Sequence, residues 1–186
     1  CRVWEKAGQK KSETPRGCVR GACAPRVPTE SYQYVKDTPL TTRHAVTPAQ
    51  AMRVFREDPT GVFPFSVTGC DALNTGAECW LHTGRNVNPP GGGVPLDSDG
   101  LVGVTATRTS MTFTVLEHGY FDGPGSTISF STWSDSEGTT YLRQTAYAYG
   151  GNPLVAFGVN RFGAYNSTWD SQARNLTREI DASFGY

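Results

Sequence analysis

The chain has 186 residues, which is enough for one domain and too few for two of ordinary size. Its 17 basic and 17 acidic side chains cancel, so the composition offers no basic field to attract nucleic acid or an anionic membrane. No run of about 18 apolar residues is present, so we expect no transmembrane segment. Because 37% of the residues are hydrophobic, a domain of this size can form a core.

Residues 1–31 lack hydrophobic periodicity, and prolines and glycines are frequent in the second half of this segment. This pattern predicts an irregular N-terminal arm, ahead of a single α+β domain over residues 32–186. Most of the basic residues are arginines, a bias typical of GC-rich bacterial genomes.

Four of the five cysteines form two pairs that are close in sequence, Cys18 with Cys23 and Cys70 with Cys79. The fifth, Cys1, has no such neighbour in sequence. Zinc sites usually use CxxC or CxxH spacing, which is missing here, so we expect no metal site. Both pairs favour disulfides in a secreted or extracytoplasmic protein, with the first pair stapling the arm. Free thiols and other pairings stay open, and a lipoprotein is an alternative if Cys1 is the mature N-terminus.

The first strand is predicted over residues 32–45, interrupted at Pro39. A short helix follows, in which Thr47 is the expected N-cap, Pro48 takes the first helical position and Gln50 completes a capping box. The dipeptide Asp58-Pro59 ends this helix, because a residue before proline avoids the helical conformation.

Residues 62–67 and 77–84 are predicted as strands, and the proline- and glycine-rich stretch between Arg85 and Gly100 as a long loop. From residue 101 onward, four segments alternate between apolar and polar residues, at spacings that require antiparallel hairpins. These predicted strands are residues 101–108, 110–121, 126–133 and 139–149.

An apolar stripe then marks one face of a terminal helix of up to about 28 residues, although Asn166-Ser167-Thr168 could begin a separate helix. The stripe consists of Val155, Val159, Phe162, Trp169, Ala173, Leu176 and Ile180.

This order of elements resembles the helix-grip arrangement of the START-like superfamily of ligand-binding and cyclase proteins. The resemblance rests on the strand at Tyr34-Val35, the helix from Thr47-Pro48-Ala49-Gln50, the strands from 101 to 149 and the stripe from Val155 to Ile180. It is a match of element order and includes no signature motif. It implies an α+β fold, with a curved antiparallel sheet wrapped around a long C-terminal helix. It also implies that the space between them takes sterols, lipids, polyketides or other apolar molecules.

We therefore expect a pocket for an apolar or amphipathic small molecule between the sheet and the C-terminal helix, with no cofactor. The residues expected to contribute to it are Phe113, Val115, Ile128, Phe130, Tyr141, Arg143, Tyr147, Phe162 and Trp169. Among them, Arg143 could bind a carboxylate or phosphate. The alternative is that the apolar members fill a solid core, while Tyr141, Arg143 and Tyr147 belong to a solvated outer face.

Three side chains are candidates for acid or base chemistry: His82, Glu117 and His118. On a strand, Glu117 and His118 point to opposite faces and cannot pair with each other. The alternative for both histidines is a surface or structural role. No nucleophile elbow, metalloprotease motif or phosphate-binding loop is present.

Two rival functions stay open. A secreted effector or toxin resembling ADP-ribosyltransferases would use Arg43, the segment Ser129-Phe130-Ser131-Thr132 and Glu179, although Thr177 and the helical position of Glu179 depart from that pattern. The other rival is an interaction module with a protein partner and no active site.

Overall fold

The computed structural model describes residues 31–82, 99–117, 123–149 and 166–185, together with the backbone of Cys18–Val19 and Ala22–Cys23. The elements in chain order are β1 (Cys18–Val19), β2 (Ala22–Cys23), β3 (Tyr32–Pro39), α1 (Pro48–Glu57), α2 (Pro59–Val62), β4 (Ser66–Thr68), β5 (Glu78–His82), β6 (Asp99–Ala106), β7 (Ser110–Val115), β8 (Thr127–Ser134), β9 (Thr140–Ala148) and α3 (Asn166–Ser183).

Strands β3 to β9 form one open sheet in the order β3-β9-β8-β7-β6-β5-β4, and every neighbouring pair is antiparallel. The strands from β4 to β9 follow one another as neighbours, and the pairing of β6 to β9 confirms the predicted hairpins. The first strand of the sheet joins the last, so β3 and β4 are the two edges. Along each central strand buried and more exposed residues alternate, which gives the sheet an inner and an outer face.

The capping box of α1 is confirmed. Thr47 Oγ1 accepts from the backbone nitrogen of Gln50 at 3.2 Å, and Gln50 Oε1 accepts from the backbone nitrogen of Thr47 at 2.9 Å. Ala51, Met52 and Phe55 are buried on the face that α1 turns to the core. The helix thus begins and ends where the sequence predicts, at Thr47 and Asp58.

The predicted strand at residues 62–67 is wrong in its first half. The carboxylate of Asp58 accepts from the backbone nitrogen of Gly61 at 2.9 Å, and Pro59 occupies the first position of a second short helix, α2. The paired strand β4 begins only at Ser66 and covers Ser66–Thr68. The first strand of the sheet is also shorter than predicted, because β3 ends at Pro39 instead of continuing to residue 45.

Helix α3 contacts α1, α2 and β3, and it buries the stripe residues Trp169, Ala173, Leu176 and Ile180. This confirms the predicted C-terminal helix from Asn166 onward. The remaining stripe residues Val155, Val159 and Phe162 lie outside the described residues, as does most of the predicted loop between Arg85 and Gly100. Within the described ranges, no helix is long and apolar enough to cross a membrane.

Cys70 and Cys79 form a disulfide that ties the loop after β4 to strand β5, with the two Cα atoms 5.4 Å apart. Cys18 and Cys23 are directly opposite each other in the register of β1 and β2, but their side chains lie outside the described part of the chain. A disulfide between them stays a prediction. The bond between Cys70 and Cys79 is compatible with an extracytoplasmic location.

Candidate functional site

One end of the space between sheet and helices is filled by aromatic rings. Neighbouring ring centroids lie 5.0 to 5.7 Å apart, and most of the pairs meet edge-on or tilted. This aromatic cluster consists of Phe55, Phe63, Phe65, Phe113, Phe130 and Trp169. It joins α1, the sheet and α3, and it forms a solid core in this part of the protein.

The core becomes polar next to the aromatic cluster, where β9 meets α3. Gln144 of β9 and Gln172 of α3 are both 0% exposed. The Nε2 atom of Gln144 donates to Oε1 of Gln172 at 2.8 Å and to the backbone oxygen of Trp169 at 3.1 Å. We refer to Gln144 and Gln172 as the amide pair.

The amide pair leaves one acceptor and one donor unused. In the part of the chain that the structure describes, neither Oε1 of Gln144 nor Nε2 of Gln172 has a hydrogen-bond partner, although both atoms are buried. The orientation of the Gln144 amide follows from its contacts, because rotating it by 180° would set its oxygen against the carbonyl of Trp169. Two buried polar atoms of opposite character are therefore free to bind a further group.

Polar contacts fasten the first turns of α3 to the edge strand β3 beside the amide pair. The Trp169 indole donates from Nε1 to the Tyr34 hydroxyl. Lys36, which is opposite Gln144 in the sheet register, contacts Asp170 at 2.8 Å and Asn166 Oδ1 at 3.1 Å. The lysine is thus already engaged by an acidic partner on α3.

Side-chain size changes along the inner face of β9. Gln144 is followed on this face by Ala146 and Ala148, which are directly opposite Tyr34 and Tyr32 of β3. On the other side of β9, Gln144 is opposite Phe130 of the aromatic cluster. Gln144 therefore has an aromatic neighbour in Phe130, while the two alanines that follow it along β9 each face a tyrosine of β3.

The residues predicted to contribute to a pocket are divided between the two faces of the sheet. Phe113, Val115, Phe130 and Trp169 are buried on the inner side, and Ile128 lies half-buried on the same face. Tyr141, Arg143 and Tyr147 alternate with these positions and lie on the outer face. Phe162 is outside the described residues. Whether any of them binds a ligand stays a prediction.

The outer-face residues are engaged with one another. Arg143 binds Asp37 through Nε and Nη2, each at 2.8 Å, and its guanidinium lies 5.4 Å from the ring centroid of Trp133. The hydrogen bonds from Arg143 lower the pKa of Asp37, although burial of the carboxyl group acts in the opposite direction. A hydrogen bond of 3.1 Å from Trp133 Nε1 to Asp37 lowers this pKa further. The ring of Trp133 stacks on Tyr141 at 4.7 Å. The guanidinium of Arg143 is therefore already bound, through Nε and Nη2, to the carboxylate of Asp37.

Among the acid and base candidates, His82 is the centre of a hydrogen-bonded chain at the edge of the outer face. Its Nδ1 lies 2.9 Å from Asp99 Oδ2, and its Nε2 lies 2.8 Å from Thr68 Oγ1. Glu117 is exposed beyond the end of β7, and His118 lies outside the described residues. The chain at His82 is on the opposite face of the sheet from the amide pair. Across the described ranges, no group of three or more His, Cys, Asp or Glu side chains could hold a metal ion.

The structure does not bring together the residues named for an ADP-ribosyltransferase. Ser129 alternates with the buried Phe130, and its hydroxyl pairs with that of Thr112 at 2.8 Å. Glu179 lies on α3, which packs against the opposite face, and Arg43 belongs to the loop before α1. The sheet therefore separates the serine from the glutamate.

The amide pair was missed by the sequence interpretation, although a signal was present. Gln144 occupies an inner position between Leu142 and Ala146, and Gln172 lies beside Trp169 and Ala173 of the apolar stripe. A glutamine at a position where periodicity requires an apolar residue is such a signal. Nothing in the sequence shows that the two glutamines meet.

No protein-family model matches the chain, and no curated protein matches it in sequence. The structure, however, is similar to several solved structures. Zhui aromatase/cyclase from Streptomyces sp. R1128 matches with a TM-score of 0.59 at 10% identity, over 83% of this chain and 96% of that one. The Aha1 dimer protein from Colwellia psychrerythraea matches with a TM-score of 0.52 at 14% identity, over 83% and 99%.

Ginseng major latex-like protein 151 from Panax ginseng matches with a TM-score of 0.51 at 13% identity, over 84% of this chain and 99% of that one. All three are START-like helix-grip proteins. Together with the seven-stranded antiparallel sheet and helix α3, these similarities confirm the fold that the order of elements predicts. The chain therefore has a helix-grip fold.

Proposed function

We propose that this protein binds an apolar or amphipathic small molecule between the inner face of the sheet and helix α3. The observation that carries the proposal is the amide pair, which leaves a buried acceptor and a buried donor without partners. A buried polar group that loses its hydrogen bond costs about 1 to 3 kcal/mol. A ligand that hydrogen-bonds to Gln144 Oε1 on β9 and to Gln172 Nε2 on α3 would remove this cost for both atoms.

The surroundings of the amide pair support an apolar body for this ligand. Gln144 lies opposite Phe130 in the sheet, donates to the backbone of Trp169, and is followed on the inner face of β9 by Ala146 and Ala148. Ligand sites typically combine mostly apolar walls with a few polar groups, as the surroundings of the amide pair do. The similarity to proteins named aromatase/cyclase and latex-like protein supports a small organic ligand.

Native mass spectrometry tests the proposal on protein purified from its own host without organic solvent. We expect an additional mass, that of a bound small molecule, which disappears on denaturation. The variant Ala146→Leu adds bulk beside the amide pair and should lower the bound fraction. Thr145→Leu, on the outer face of the same strand, is the matched control and should leave it unchanged.

Two results would contradict the proposal. One is protein from the host that carries no small molecule and binds no apolar probe in titration. The other is equal ligand occupancy in Ala146→Leu and Thr145→Leu, provided that circular dichroism shows both variants to be folded. Capture of a protein partner in place of a small molecule would favour the interaction module instead.

A further inference from the structure

We infer that the amide pair recognises an uncharged group that donates and accepts a hydrogen bond at adjacent atoms, as a lactam or a primary carboxamide does. The inference deepens the proposed function and rests on it, because it assigns the chemistry of the ligand's polar end. It follows from the character of the two free atoms, from the charges around them and from their burial.

The first step concerns the two free atoms. Oε1 of Gln144 can only accept, and Nε2 of Gln172 can only donate. Their amides are already joined by the 2.8 Å bond between Gln144 Nε2 and Gln172 Oε1, so the free atoms belong to neighbouring groups. One small group with an N–H and a C=O side by side offers the complementary donor and acceptor.

The second step excludes a charged ligand group. A carboxylate only accepts hydrogen bonds and would face the oxygen of Gln144, whereas an ammonium only donates and would face the N–H of Gln172. Burying either charge without a counter-charge is strongly unfavourable. The nearby cation Lys36 is held by Asp170, and Arg143 is bound to Asp37 on the outer face.

The third step concerns selectivity. Both glutamines are 0% exposed, so a ligand that lacks the donor leaves Gln144 Oε1 unpaired in a site that water reaches poorly. A site built to hydrogen-bond a polar group rejects an analogue without that group, because its own buried atoms then stay unsatisfied. We therefore expect strong discrimination between closely similar molecules.

Three probes of similar size test the inference by calorimetric titration of the full chain. The lactam 2-quinolinone has both the N–H and the C=O, 1-methyl-2-quinolinone lacks the N–H, and naphthalene has neither. We expect 2-quinolinone to bind at least about tenfold more tightly than its methylated analogue, as a hydrogen bond to a buried partner would give.

The double variant Gln144→Met/Gln172→Met removes both amides at nearly constant volume. In this variant we expect the ratio of the two quinolinone affinities to fall to about one, while naphthalene still binds. Gln33→Met, at an exposed position of β3, is the matched control and should keep the preference of the unaltered protein.

If the unaltered protein binds the two quinolinones equally and also binds naphthalene, the inference is overturned and the proposed function stands. A preference that survives in the double variant overturns it as well. If none of the three probes binds, including naphthalene, the proposed function fails with it. The comparison in the unaltered protein is decisive even if the double variant does not fold.

Discussion

Gln144 of β9 donates a hydrogen bond of 2.8 Å to Gln172 of α3, and both side chains are completely buried. The bond links the sheet to the helix at a point where the hydrophobic pattern of both elements calls for an apolar residue. Each glutamine keeps one further polar atom without a partner among the described residues. This relationship distinguishes the site from an ordinary helix–sheet interface.

We expect Gln172→Met alone to lower the free energy of unfolding by about 1 to 3 kcal/mol, because it leaves one N–H of Gln144 unpaired in the core. The double variant Gln144→Met/Gln172→Met should cost less than the sum of the two single changes, since no partner is left behind. Urea unfolding of the four proteins in a double-mutant cycle measures this coupling. Additive losses would show that the hydrogen bond contributes nothing to stability.

Trp169 should be among the most sensitive positions of α3. This residue is 6% exposed, and the centroids of its ring and the Phe130 ring are 5.6 Å apart. Its indole N–H also donates a hydrogen bond to the Tyr34 hydroxyl. Trp169→Ala should therefore destabilise the protein by about 3 to 5 kcal/mol. Trp133→Ala on the outer face is the control and should cost less. Equal shifts of the urea midpoint in the two variants would argue against burial of α3 on the sheet.

The disulfide between Cys70 and Cys79 closes a short loop, with a sequence separation of 9. A crosslink over a loop of this length constrains the unfolded chain by about 2 to 3 kcal/mol. We expect Cys70→Ser/Cys79→Ala to lose stability of this order in urea unfolding under oxidising conditions. Peptide mapping without reduction should find the two cysteines in one crosslinked peptide, and free thiols at both positions would contradict the structure.

The contact between Asp37 and Arg143 predicts a modest pH dependence of stability. The pKa of Asp37 is lower in the folded protein than in the unfolded chain, so its stabilising effect is fully present above the unfolded value of about 3.9. It is lost as the pH falls through the lower folded pKa. Because both side chains are partly exposed, we expect a contribution of at most about 1 kcal/mol.

Urea unfolding of Asp37→Asn and the unaltered protein between pH 7 and about pH 2 checks this sign. The difference in stability should be constant near neutral pH and should shrink towards the acid end. Asp71→Asn, an exposed position in the loop after β4, is the control. A difference that grows as the pH falls would mean that the pKa of Asp37 is not lowered by folding.

Local patterns predicted most of the framework. Thr47, Pro48 and Gln50 carry the complete signal for the start of α1, because a capping box uses only the residues of its own turn. The alternation along β6 to β9 likewise predicts hairpins, since short connections between strands permit only antiparallel neighbours. The error at residues 62–67 arose because Asp58 caps a second helix through a contact that hydrophobicity does not show.

The faces of the sheet were less predictable than the strands. Alternation separates Arg143 and Tyr147 from Leu142 and Ala146 but does not show which set faces the helix. The structure places Arg143 outside, where Asp37 reaches it from the neighbouring strand. That partner is 106 residues away in sequence.

By itself the sequence determined the boundaries of α1, the antiparallel pairing of β6 to β9 and the buried flank of α3 from Trp169 to Ile180, because each depends on residues close together in the chain. Only the tertiary structure decided that Gln144 meets Gln172, 28 residues further on, and that each keeps a free polar atom. The physical reason is that hydrogen bonding between distant side chains depends on how helix and sheet pack, which no local pattern records.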